Sequence, residues 1–291
     1  MTQSEPRPTF AVIVPHYNDT RRLARCLAAL TPQVGPDTEV VVVDNASTED
    51  LTPVAGAHPT VRFVVEPQKG AANARNRGVD ETGAPAFAFL DADCVPRADW
   101  LAAARAAVAE GTVAGGRIDV FDETPPPRSG PEAFEQVFAF RQRDYIARKG
   151  FSVTANLVTT RAVFEATGPF VHGLSEDMDW CRRAVIRGAR LVYDDGLVVG
   201  HPSRKDWAAI TKKWRRLTEE MYVLNGREGL ARVKWALRGL AMGPSAIFHA
   251  PRMLRHPGLD PGDRGRGLAT LFALRLVRGV WMLRQALTGR P

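Results

Sequence analysis

The chain has 291 residues, 45% of them hydrophobic and 24% charged, an ordinary globular composition that excludes a fibrous or disordered protein. Three widely spaced cysteines, Cys26, Cys94 and Cys181, without a C-x-x-C pair, argue against a disulfide framework and a thiolate metal site and point to a reducing compartment. Residues 201–291 hold 18 Lys and Arg against 6 Asp and Glu, whereas residues 1–200 hold 21 against 26, so an acidic body with a basic appendage is expected. The opening MTQSEPRPTF carries no apolar signal segment, and no run of about 18 apolar residues exists, so neither a signal peptide nor a membrane-spanning helix is expected.

Phe10 to Val14 is an apolar run ended by Pro15 and reads as a buried strand. Arg21 to Leu30 follows, with Leu23, Leu27 and Leu30 at helical spacing. Glu39 to Val43 is continuous in β-branched residues, as in a buried parallel sheet, and ends at Asp44 and Asn45. Val61 to Val65 reads as a third strand, Ala71 to Asp80 as a helix, and Phe87 to Leu90 as a fourth strand ending at Asp91. Strand–helix alternation with short connections predicts an α/β fold, an open, mostly parallel twisted sheet flanked by helices. Ligands of such sheets bind beyond the carboxyl ends of the strands. The polar sets His16-Tyr17-Asn18, Asp44-Asn45 and Asp91-Ala92-Asp93 stand at those ends and are expected to converge.

Further on, Arg117 to Phe121 reads as a strand, 125–127 (PPP) as a stiff loop and 131–148 as a helix. Residues 151–170 read as strand, helix and a turn at Gly168-Pro169. Ser175 is the expected N-cap of a helix from Glu176 to Arg187, ended by Gly188. Leu191 to Tyr193 and Leu197 to Val199 read as two short strands before His201. From residue 206 the pattern turns helical. Trp207, Ile210, Trp214, Leu217, Met221 and Leu224 form one apolar stripe. A linker at 256–267 precedes a second helix at 267–287, with Phe272, Leu276, Val280 and Leu283 on one side, Trp281 flanking, and Arg275 and Arg278 turned away. The expected division is a catalytic domain at 1–205 and a basic amphipathic helical region at 206–291.

Two acidic clusters carry the chemistry. Asp91 and Asp93, two apart at a strand end, can share a hard divalent cation, which neutralises a diphosphate and stabilises it as a leaving group. Glu176, Asp177 and Asp179 open a helix, and one of these carboxylates can serve as general base toward a hydroxyl acceptor. His201, alone after its strand, is a third candidate ligand for a cation already holding two carboxylates.

The motifs VIVPHYND, VVVDNASTED, KGAANARNRG, FLDADC, NLVTTRAVFEATGPF, SEDMDWCRRAVIRG and VVGH, in that order from residue 10 to about 205, resemble the family 2 glycosyltransferases of GT-A fold. The resemblance implies inverting transfer of a sugar from a nucleoside-diphosphate sugar, UDP-linked by preference, with Mn²⁺ or Mg²⁺ as cofactor. It implies that Pro15, Tyr17 and Asn18 lie in the loop holding the nucleotide, and that Asp44 reads the base together with Arg75. Asp91 would sit near ribose and metal, Asp93 would ligate the metal, and His201 matches a metal-ligating position of some members. Asp177 would be the catalytic base with Glu176 beside it, and Arg183 falls where members carry a basic residue. The Gln-x-x-Arg-Trp motif of processive synthases is missing, which favours transfer of a single sugar.

FLDADCV also fits the opening of a haloacid-dehalogenase-type phosphatase, with Asp91 as nucleophile and Asp93 as acid/base, but at least three strands precede it and the other acids would go unexplained. A catalytically inactive nucleotide-sugar binder stays open. Nucleic-acid binding by the tail is not expected, because Trp207 and Trp214 lie on the apolar stripe. The expected partners are the donor, a glycan or lipid-linked acceptor, a peripheral contact with the inner face of the cell membrane, and a second copy as a homodimer. The expected location is cytoplasmic.

Overall fold

The structure, a computed structural model, describes residues 8–173, 175–226 and 228–291; most of the opening segment read for a signal peptide lies outside them. The chain divides into two compact units. The first comprises the residues up to Asp119 together with Arg141–His201. The second comprises Val120–Phe140 and Pro202–Pro291. Residues 120–140, inside the segment assigned from sequence to the catalytic domain, thus cluster with the C-terminal helices.

The first unit begins β1 (Phe10–His16), α1 (Thr20–Leu30), β2 (Thr38–Asp44), α2 (Thr52–Ala57), β3 (Arg62–Val65), α3 (Ala71–Glu81) and β4 (Ala86–Leu90). It continues with β5 (Val95–Pro96), α4 (Trp100–Ala106) and β6 (Thr112–Phe121). The eight-stranded sheet has the order β3-β2-β1-β4-β7-β6-β8-β5, where β7 is Asn156–Thr160 and β8 is Arg190–Pro202. β1 pairs parallel with β2 and β4, and β2 with β3. Across β7 the pairing turns antiparallel, so the sheet is mixed: its first half is parallel and β4–β7, β7–β6 and β5–β8 are antiparallel. The continuous runs FAVIVPH, TEVVVVD and AFAFL form the interior strands β1, β2 and β4, where both faces are covered and alternation would be a defect.

β1 does not stop at Pro15. Its pairing with β4 ends at Ile13, while pairing with β2 continues to His16, so the missing proline N–H breaks no bond on the β4 side. α3 lies tight on β1 because Gly78 has no side chain: a Cβ there would stand 2.3 Å from Ile13 Cγ2. That approach fixes Arg75, one turn earlier on the same helix.

The expected helix over 131–148 is broken. α5 (Gly130–Phe138) is followed by α6 (Gln142–Asp144) and a π-turn at Tyr145–Lys149. Phe140, at φ 48°, stands in the left-handed region and cannot continue a helix. Next come α7 (Arg161–Thr167) and α8 (Glu176–Ile186), the latter near its expected bounds. The two short strands expected before His201 are one, β8; Asp194-Asp195-Gly196 between them lies in extended chain, with Tyr193 Oη donating to Asp195.

The second unit holds α5, α9 (Trp207–Asn225), α10 (Gly229–Met242), α11 (Ser245–Leu254) and α12 (Pro261–Thr288). Its core gathers Ala133 and Phe134 of α5 with Ile210, Leu271 and Leu274. Trp214 packs against this core and Met221 against a smaller cluster around Tyr222 and Trp235, whereas Trp207 and Leu224 at the ends of the stripe are exposed. The linker expected to run to 267 stops at Asp260, whose side chain accepts from the Asp263 N–H at 2.7 Å as an N-cap with Pro261 behind it. On α12 the two sets lie on separate sides, as expected, with the arginines on the inner one. Arg278 stacks 4.3 Å over the Trp214 ring and Arg275 donates to Ser245 Oγ at 2.9 Å, while Phe272, Leu276 and Val280 are exposed.

Candidate active site

Beyond the carboxyl ends of β1, β2 and β4 lies a cleft of about 430 Å³, lined by Pro15, Tyr17, Asn45, Arg75, Asp91 and Asp93 among others. The three polar strand ends therefore share one crevice, where the order of this sheet puts its ligand site.

Hydrogen bonds build one wall. The buried His16 ring accepts from the Asp19 N–H at Nε2 (3.1 Å). A backbone N–H can only donate, so in the neutral ring Nδ1 carries the proton and donates to Asp44 Oδ1 at 3.3 Å. Asn45 donates to the carbonyls of Glu66 and Gln68 and accepts from the Gly70 N–H at 2.6 Å, fixing the turn into α3. Asn18, in the loop expected to hold the nucleotide, clamps the loop after β2. Its Oδ1 accepts from the N–H groups of Thr48 (2.8 Å) and Glu49 (3.2 Å), and its own N–H donates to Ser47. Tyr17 is half-exposed at the rim, and Lys69 Nζ lies 3.3 Å from its hydroxyl.

Arg75 ties the two acidic clusters together. One guanidinium nitrogen donates to Asp91 Oδ1 and another to Glu176 Oε1, each at 2.8 Å. Sequence reasoning put Arg75 with Asp44 at the base; both of these bonds go elsewhere. Burial disfavours its charge, but Asp91, Asp177 and Glu176 outweigh that and hold it firmly protonated.

The helix-opening acids have three separate destinations. Glu176 meets Arg75, Asp177 Oδ1 accepts from Thr154 Oγ1 at 2.7 Å, and Asp179 pairs with Arg183. Arg183 also donates to the carbonyls of Thr167 and Pro169, a structural tie at the end of α7. Desolvation pushes the Asp177 carboxyl up from 3.8 to about 6; Arg75 and the Thr154 hydroxyl pull it down, and Glu176 and Asp91 push it up.

Asp93 Oδ2 lies 3.3 Å from His201 Nε2, joining the D-x-D loop to the end of β8. Asp91 is drawn toward Arg75, and among the described residues no three His, Cys, Asp or Glu side chains form a complete metal cage. The donor set still suits a hard divalent cation: a carboxylate oxygen and an imidazole nitrogen side by side at the cleft, leaving positions for diphosphate oxygens and water. Sequence reasoning placed His16 and Asn45 only among the converging strand ends and gave no role to Lys69 or Thr154. The first three stand in the quoted motifs PHYND, DNAS and KGAA, but Thr154, 23 residues from its partner, has no local signal.

A mixed α/β sheet with a polar, acid-lined cleft at its carboxyl edge is the architecture of a nucleotide-sugar enzyme of GT-A fold. The family model "Glycosyl transferase family 2" matches residues 11–168, over half of the chain, and the chain belongs to that family of glycosyltransferases. Glycosyltransferase AglE of Haloferax volcanii is 29% identical over 220 residues, covering 72% of this chain and 71% of its own. The pre-mycofactocin glycosyltransferase of Mycobacterium tuberculosis is 29% identical over 229 residues, and the match spans only 48% of that longer protein. Among solved structures, the mannosyltransferase PcManGT of Pyrobaculum calidifontis, in complex with GDP-Man and Mn2+, superposes with a TM-score of 0.56 at 20% identity, over 98% of this chain and 74% of that one. S. aureus TarS 1-349 with UDP-GlcNAc gives 0.55 at 16% identity, over 97% and 92%. With family membership shown, the phosphatase reading of Asp91 falls away.

Proposed function

We propose that the chain transfers a single sugar, with inversion, from a UDP-linked donor to a hydroxyl of a glycan or lipid-linked acceptor, with Asp177 as general base and a divalent cation held by Asp93 and His201. The observation that carries this reading is the Asp177 carboxyl, pushed up to about 6 by desolvation, oriented by Thr154 and coupled to Arg75, which lines the cleft. A base poised near neutral pH combines correct protonation with driving force.

In the reaction, Asp177 accepts the proton of the acceptor hydroxyl as that oxygen attacks the anomeric carbon from the face opposite the diphosphate. The bond from the anomeric carbon to the diphosphate oxygen breaks, and the electron pair leaves with the nucleoside diphosphate. A bound Mn²⁺ or Mg²⁺ supplies Lewis-acid neutralisation of that leaving group. Arg75 keeps Asp91 and Glu176 paired, and its positive charge limits how far the Asp177 carboxyl rises. Asp44, an acceptor-only carboxylate oriented by His16, suits a base N–H, such as N3–H of uracil.

The reading is supported by PcManGT, a family-like fold solved with a nucleotide sugar and Mn2+, and by TarS solved with UDP-GlcNAc. A donor screen with UDP- and GDP-sugars and Mn²⁺, read by release of nucleoside diphosphate, tests it. Release from a UDP-sugar that stops with EDTA is the expected result; equal release in excess EDTA removes the metal from the proposal.

A further inference from the structure

Within the second unit, α10 and α11 run one after the other antiparallel to α12. Arg232 at the start of α10 donates to the Ala286 carbonyl at 2.8 Å, and Arg275 reaches Ser245 at the start of α11. At the crossing, a Cβ on Gly239 would stand 3.3 Å from the Gly279 carbonyl oxygen, so the helices touch through glycines.

The inner faces of these helices are apolar, with Trp235 and Met282 in one cluster and Met253, Leu271 and Leu274 in another. The outer faces are apolar as well. Leu230, Val233, Leu237 and Leu240 follow at three- and four-residue steps along α10 and are all exposed. On α12 the exposed series is Phe272, Leu276, Val280 and Leu287. Ile247 and Phe248 on α11 are exposed too, Phe248 by 81%. Leu276 abuts Gly243 at the end of α10, so the stripes meet on the side turned away from the core. An ordinary surface helix hides one apolar stripe and shows water a polar one; helices with two such stripes mark an interaction surface.

We propose that this outer face of α10–α12 docks on an anionic membrane surface, with the helices lying in the interface plane. Charge selects this occupant over a second copy of the chain. Residues 229–291 hold eleven Lys and Arg against two Asp. Of those two, Asp263 is buried between Arg128 and Arg266, and Asp260 is the N-cap of α12. Lys234, Arg238, Arg252, Arg255 and Arg284 are all exposed on the same three helices. A twofold pairing of this face would set that basic border against itself without acids to answer it. An anionic headgroup layer answers it, and the apolar stripes enter the acyl boundary. No helix among the described residues is long and apolar enough to cross a membrane. α12, about 42 Å long at 1.5 Å per residue, has Arg275 and Arg278 spent on inward contacts, while Arg284 is exposed between Val280 and Leu287, where it can meet a headgroup.

The test is co-sedimentation of the full 291-residue chain with phosphatidylglycerol or pure phosphatidylcholine vesicles at low and high salt. Binding to the anionic vesicles alone, falling with salt, is expected. Leu237→Asp with Leu276→Asp, both at exposed positions, should abolish binding. The triple variant Lys234→Gln, Arg252→Gln, Arg255→Gln should weaken it about 100-fold, at about 5-fold per charge. Wild-type protein staying in the supernatant, or a Leu237/Leu276 variant that binds like wild type, overturns the proposal. So does a lipid-free dimer, seen by sedimentation velocity and dissolved by the leucine variant, without vesicle binding. Donor turnover read on the same samples keeps a failure here distinct from failure of the transfer reading.

Discussion

Replacing Asp177 by asparagine should make the protein more stable and nearly inactive at once. The carboxyl is held at about 6 in the folded chain against an ordinary 3.8. Roughly two units at 1.36 kcal/mol each is about 3 kcal/mol that the charged form costs the native state. Between pH 4 and 6 the unfolded chain gives up this proton while the native chain keeps it. The native state then binds more protons, and stability falls as pH rises, levelling off above about 6.5. Asparagine keeps the shape and the Thr154 contact and has no such dependence. Urea unfolding of the two proteins should coincide near pH 4, and the variant should gain up to about 3 kcal/mol by pH 7.5. Turnover should fall about 10²–10⁴-fold, while donor binding by calorimetry persists. A stability gap that does not change with pH would refute the claim that the site holds this carboxyl above its ordinary range, and an Asn variant with normal turnover would remove Asp177 as the base.

Thr154→Val deletes the hydroxyl that favours the Asp177 carboxylate, so the acidic limb of kcat/KM, expected near 6 in the wild type, should move upward; an unmoved limb means the hydroxyl does not act on the base. Asp93→Ala should weaken Mn²⁺-dependent binding of nucleoside diphosphate, read by calorimetry with and without EDTA, and identical affinities would place the cation elsewhere. Glu135, buried and paired with Arg204 and Lys213, is pulled below its ordinary range: burial raises it, and the two cations overcome that. Its contribution is therefore present above about 4.5 and lost as pH falls, so Glu135→Gln should cost about 3 kcal/mol at pH 7 and converge with wild type in acid.

How much of this was legible in the sequence depended on whether a residue's partner was local. β1, β2 and β4 could be read because interior parallel strands are uninterrupted β-branched and aromatic runs, and the strand-end rule then brought Pro15, Tyr17, Asp91 and Asp93 to one cleft. What Arg75 does could not be read. It sits on α3, 16 residues from Asp91 and 101 from Glu176, and only the close seat of Gly78 on Ile13 aims it at both. Thr154 was silent for the same reason. α10 and α11 escaped for a different one. Periodicity finds a helix by the contrast between an apolar and a polar face, and α10 carries Trp235 inside with Leu237 and Leu240 outside, so the contrast vanishes. On α12 the contrast survived: Phe272, Leu276 and Val280 were read on one side and the arginines on the other, and in the structure Arg278 spends its charge on the Trp214 ring and its Nε–H on Thr218 while Leu276 lies outside. α12 thus carries apolar residues on both sides, Leu271, Leu274 and Met282 within and Leu276 and Val280 without. The exposed apolar residues that erased the contrast on α10, Leu237 and Leu240, belong to the same outer face as Leu276, the face on which the docking proposal rests.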